Sequence, residues 1–143
     1  MAETDESYAA EIESEIAKLE RDAERSQKSG NIEKALRLLE RALAFKLEAY
    51  GPENPETASA WTSLTNNYNV YAMKHLQDED FKASHSLLSK AKALLESPAN
   101  VISDEEKRRL LAITYNNFAC YYKKKNMLKS ALTHAEAVSS GYR

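Results

Sequence analysis

The residue types able to do chemistry are few and scattered. His75, His85 and His134 could hold a metal or move protons, yet none has a second histidine or a cysteine three or four positions away on the same helical face. Cys120 is the one cysteine, so no internal disulfide can form and no sequence partner makes it a nucleophile; a packed or surface thiol is the default. There is no glycine-rich phosphate loop, no G-x-S-x-G and no H-E-x-x-H. Aspartate and glutamate are abundant and lie on helix faces, several of them, such as Glu24, Glu33, Asp104 and Glu105, with lysine or arginine four residues on, the spacing of a solvated helix surface. We therefore expect no catalytic residues, metal, cofactor or small-molecule substrate.

What remains is the chemistry of recognition. The asparagine pairs Asn66–Asn67 and Asn116–Asn117 carry amides that donate and accept at once, so they can pair with any peptide backbone or simply with water. Lys123, Lys124 and Lys125 form a basic run, with Lys74 as a candidate neighbour. They suit an acidic partner segment, and equally they offset the negative end of a helix, worth about 0.3–1 kcal/mol. Tyr121 and Tyr122 beside those lysines could stack on single-stranded nucleic acid. A net charge of −2 argues against that, and against an anionic membrane surface.

Helices must position these groups. Glycine and proline break the chain at Gly30, at Gly51, Pro52 and Pro55, at Pro98, and at Gly141. Between the breaks apolar residues recur every three or four positions: Tyr8, Ile12, Ile16, Leu19, Ala23; then Ile32, Ala35, Leu36, Leu39, Ala42, Leu43; then Trp61, Leu64, Thr65, Tyr68, Ala72. Asn54 before Pro55, Ser103 with Glu106, Asp78 or Asp80, and Asn126 supply start signals. Six helices follow, near 5–28, 31–50, 55–76, 80–96, 103–125 and 127–140, and no window alternates like a strand. The class is all-α. One domain spans 1–143 as three antiparallel hairpins, about 5–50, 55–96 and 103–140. At this length a chain buries roughly 70% of its unfolded surface and folds without staples. The acidic N-terminus lacks the marks of a signal or transit peptide, and no apolar run could span a bilayer, so a cytoplasmic protein is expected.

The second, fourth and sixth helices share one ruler. Ile32, Ala35, Leu39, Ala42 become Phe81, Ser84, Leu88, Ala91, then Leu128, Ala131, Ala135, Val138, with a small residue always second. A small side chain there lets a neighbouring helix approach closely. The odd helices have their own: Trp61, Leu64, Thr65, Tyr68 match Tyr115, Phe118, Ala119, Tyr122, and Leu19, Asp22, Ala23, Ser26 match loosely. Units of this kind bury their apolar faces by stacking.

On these residues the chain resembles the tetratricopeptide repeat family, whose first helices place an aromatic, a leucine, a small residue and a tyrosine in this order. The stretch ALAFKLEAYGPENPETASAW, from Ala42 to Trp61, resembles kinesin light chain repeats with their GP-x-x-P-x-T-A linker. The resemblance implies a right-handed α-α superhelix, and a concave groove on the first helices that holds a partner peptide. Carried onto this sequence, the groove takes Ser59, Thr62, Ser63, Asn66 and Asn69 from the third helix. Ile113, Asn116, Asn117, Cys120, Lys123 and Lys124 come from the fifth. The carboxylate clamp of chaperone-binding relatives is absent, since Glu20 and Glu24 stand where it needs lysine and asparagine, and Ile113 and Asn117 where it needs lysine and arginine. A non-enzymatic adaptor in cytoskeletal, motor-cargo or ciliary assembly is what the likeness implies.

Three departures carry expectations of their own. Asp22 and Ser26 replace leucine and tyrosine, so the first hairpin is expected to be an irregular or frayed cap. Extra residues near 73–79 in the second repeat are expected to lengthen its first helix by about two turns. Leu128, Leu132 and Ala135 leave an apolar seam open after the sixth helix, pointing to further repeats of a longer protein or to a homodimer contact. That seam is the basis of the alternative function, a structural segment that associates with itself or with neighbouring repeats.

Overall fold

In the computed structural model of the chain, the backbone is described for residues 2–140 and side chains for 5–127 and 130–139. Six helices occupy it: α1 (Ala2–Lys28), α2 (Ile32–Tyr50), α3 (Pro55–Gln77), α4 (Phe81–Leu95), α5 (Asp104–Lys124) and α6 (Leu128–Ser140). The described residues contain no strand. The chain divides into two compact units, Met1–Leu64 and Thr65–Arg143, with the boundary inside α3.

Side chains start the helices as their types require. Asn31, Asp80 and Ser103 each accept from the backbone N–H three residues on, at 3.3, 3.2 and 3.2 Å, and Asn54 accepts from Glu56 N–H at 2.8 Å. Asn126 does not cap α6. It lies instead in the left-handed region at φ 63°, where asparagine is tolerated.

That residue belongs to a pattern. After α1, α3 and α5 the chain closes with the same pair of hydrogen bonds: Asn31 N–H to Ser26 O and Gly30 to Gln27; Asp80 to His75 and Glu79 to Leu76; Met127 to Tyr122 and Asn126 to Lys123. This is the Schellman arrangement, and its second-last residue must take positive φ. Gly30, Glu79 and Asn126 do so, at 84°, 60° and 63°. Three different residue types thus build one turn.

In the first unit α1 and α2 pack along Ile16, Leu19 and Ala23 against Ala35, Leu36, Ala42 and Leu43, all buried. Each leucine or isoleucine so covered contributes roughly 1.5–3 kcal/mol. Lys46 is buried too, its stem covered and its ammonium 3.2 Å from Glu20. Burial, then the charges of Glu13, Glu56 and Glu20, raises the Tyr50 phenol above its usual range. The frayed cap expected here is not seen: α1 is unbroken, Ser26 is buried, and Asp22 holds Arg25 at 3.5 Å.

In the second unit α5 packs on both α4 and α6. Leu87, Leu88, Ala91, Leu95, Val101, Leu110, Leu111, Tyr115 and Phe118 form its core, with Ala137 and Val138 of α6 packed against Leu95, Leu110, Leu111 and Tyr115. The even-helix ruler is buried on α4, where Ser84, Leu88 and Ala91 have no exposure; on α6 Val138 packs inward and Ala135, expected to lie open, is exposed. The expected lengthening of α3 is seen past its ruler residues: it stays helical to Gln77, 16 residues beyond Trp61, whereas α5 ends at Lys124, nine beyond Tyr115, and residues 78–80 form the Schellman turn.

Candidate partner-binding face

Asn69 decides how the second part of α3 meets α5. Its Nδ2 donates to Thr114 Oγ1 at 3.0 Å and to Thr65 O at 3.2 Å, while its Oδ1 accepts from Asn117 Nδ2 at 2.9 Å. Thr114 in turn donates to Leu110 O at 2.8 Å. Eight residues beyond Asn69, Gln77 O accepts from Lys124 Nζ at 3.5 Å. The two helices therefore run side by side in the same direction, joined by a buried polar clasp. Buried polar groups are tolerated only when paired, and here each finds a partner.

This overturns one expectation for the groove. Asn69 was to line it, yet its side chain is buried and fully engaged within the protein. Asn117 is half-buried and tied to Asn69, so much of its amide is also spent. The remaining residues of the second unit lie open: Asn66, Asn116, Cys120, Lys123 and Lys124 are exposed. Thr62, half-buried, and Ser63, exposed, belong to the first unit.

Two apolar residues join the open stripe. Val70 follows Asn66 by one helical turn and is 62% exposed; Ile113 precedes Asn116 and is 37% exposed. Val70 had escaped the sequence reading, although its spacing of four from Asn66 places it on the same face. Toward the C-terminal ends of both helices, Val70, Met73, Lys74, Leu76, Gln77 and Lys124 line an open cleft of about 480 Å³. Lys125 points elsewhere, with its ammonium 5.7 Å from the rings of both Phe81 and Tyr121.

Two of the three histidines meet at a place their spacing in the chain does not foretell. His85 of α4 and His134 of α6 both lie against Phe118 and Tyr122, with ring centroids 4.9–6.5 Å apart. His134 Nδ1 is 2.8 Å from Ser130 O, so that nitrogen carries the proton. His75 sits 3.7 Å from Asp80. No group of three or more His, Cys, Asp or Glu among the described residues could hold a metal ion. No helix among them is long and apolar enough to cross a membrane.

Of the seam expected after α6, Leu132 is 60% exposed and Ala135 is exposed. The side chain of Leu128 lies outside the described residues. No protein-family model, curated protein or solved structure matches the chain.

Proposed function

We propose that the chain is a non-enzymatic binding module, built of tetratricopeptide-like hairpins, that holds a peptide segment of a partner protein on the open face of α3 and α5. One observation carries this. Two parallel helices are locked edge to edge by the Asn69–Thr114–Asn117 clasp and carry exposed Val70 and Ile113 together with the exposed amides of Asn66 and Asn116. Apolar side chains standing in water favour a partner that covers them. Flanking amides give that partner's backbone both donors and acceptors. A fixed helix spacing avoids the entropy cost of ordering the site at binding. The repeated Schellman turn after α1, α3 and α5 supports the array of hairpins. Cytoskeletal, motor-cargo or ciliary assembly in the cytoplasm is the setting we propose from the resemblance to kinesin light chains.

A peptide-display selection against the full chain tests the proposal. Selected peptides should lose binding to a Val70→Asp, Ile113→Asp variant and, in part, to an Asn66→Ala, Asn116→Ala variant, each with unchanged helicity by circular dichroism. All four residues are exposed, so the fold should survive. Peptides that bind both variants as tightly as the parent would place recognition elsewhere.

A further inference from the structure

α1 is longer than the helix it packs on. At 1.5 Å per residue its 27 residues span about 40 Å, against about 28 Å for the 19 of α2. The tight turn between them aligns one pair of ends, so the surplus falls at the start of α1. Burial agrees: every residue from Asp5 to Glu11 is exposed, Ile12 is half-buried, and Ile16 is the first to be buried.

The apolar stripe continues past its cover. Tyr8 stands four residues before Ile12, in line with Ile16, Leu19 and Ala23, and is 61% exposed. Two helical turns without tertiary packing are marginal in water. A contact along that stripe would supply the missing support.

Charge selects what can make it. Glu3, Asp5, Glu6, Glu11, Glu13 and Glu15 precede Lys18, and no basic residue lies among them. Two such tips repel one another, which disfavours a symmetric tip-to-tip pair. The cleft at the ends of α3 and α5 has the opposite character. Val70, Met73 and Leu76 give it an apolar lining, and Lys74 and Lys124 stand at its rim, exposed and without a carboxylate in ion-pair range among the described residues. Lys123 adds a third exposed charge on the same stretch of α5. Asp78 and Glu79 follow α3 and offset part of this, whereas Asp80 is engaged in capping α4 and beside His75.

We infer that the first turns of α1 dock on this cleft in a second copy of the chain, with Tyr8 on the Val70–Met73–Leu76 lining and the flanking carboxylates facing Lys74 and Lys124. The contact joins two different surfaces, so it runs head to tail and can propagate. It stands apart from the partner-binding proposal, though a bound peptide reaching the cleft would compete with it.

Sedimentation velocity on the full chain tests this, with two variants of exposed residues whose helicity is checked first. Tyr8→Ser, Glu11→Lys removes the tip; Lys74→Glu, Lys124→Glu reverses the cleft. The parent should associate with rising concentration, and less so at 1 M salt, where charges are screened beyond about 3 Å. Each variant alone should lose at least about tenfold in association. Mixed, the two should pair one to one, because a cleft-reversed copy still offers an intact tip to the intact cleft of a tip-altered copy. A parent that stays monomeric at every concentration, a variant that associates like the parent, or a mixture that fails to pair would overturn the inference.

Discussion

Asn69 of α3 donates to Thr114 of α5 across 3.0 Å, with neither side chain open to water. A single amide thus fixes the spacing and register of the two helices that carry the candidate face. Replacing Asn69 with alanine leaves Asn117 Nδ2 and Thr114 Oγ1 each short of a partner. We expect a loss of about 2 kcal/mol in unfolding free energy, measured in urea, because unpaired buried groups keep their desolvation cost. Partner peptides should also bind the variant more weakly, although Asn69 itself is buried.

The Schellman turns predict opposite effects for glycine at two positions. Glu79 holds φ 60° with a β-carbon, where Gly30 holds 84° without one. Glu79→Gly should raise stability by about 0.5–1 kcal/mol, the left-handed cost of an L residue less the added entropy of glycine in the unfolded chain. Gly30→Ala should lower it by about 1 kcal/mol. A β-carbon at Gly30 would meet nothing within 4 Å, so that loss is conformational alone. Thermal melts of the two variants check both signs.

Ser84 sits where the equivalent helices carry Ala35 and Ala131, and its hydroxyl is buried without a hydrogen-bond partner among the described residues. Ser84→Ala removes that unpaired group at little change in volume. Stability should rise by up to about 1 kcal/mol. A measured loss would show that the hydroxyl is paired after all.

Glu106 and Arg109 form a two-pronged pair at the start of α5, at 3.0 and 2.5 Å. The guanidinium hydrogen bond, more than its charge, holds the Glu106 carboxyl below its ordinary value of 4.5. The folded state therefore binds this proton less readily than the unfolded chain. Its contribution is complete above the unfolded pKa and disappears as pH falls through the lowered folded one. Half of the arginine side chain is exposed, so the effect on melting is small and salt-sensitive. Carboxylate NMR titration should show Glu106 returning to the ordinary range in Arg109→Gln.

The sequence determined the helices and much of their punctuation. Glycine and proline placed the breaks, three-and-four spacing placed the faces, and Asp80 and Ser103 marked two of the starts, because these are local properties of a few neighbouring residues. It did not determine which asparagine faces water. Asn66 and Asn69 are three residues apart, so one helical face nearly contains both; Thr114, 45 positions further on, draws Asn69 inward and leaves Asn66 outside. Nor could the spacing show that Tyr8, which keeps the period of Ile12 and Ile16, runs past the end of α2. The His85–Phe118–His134 cluster likewise joins three helices at once. Periodicity names the face a residue occupies, and only the packed neighbour decides whether that face is covered.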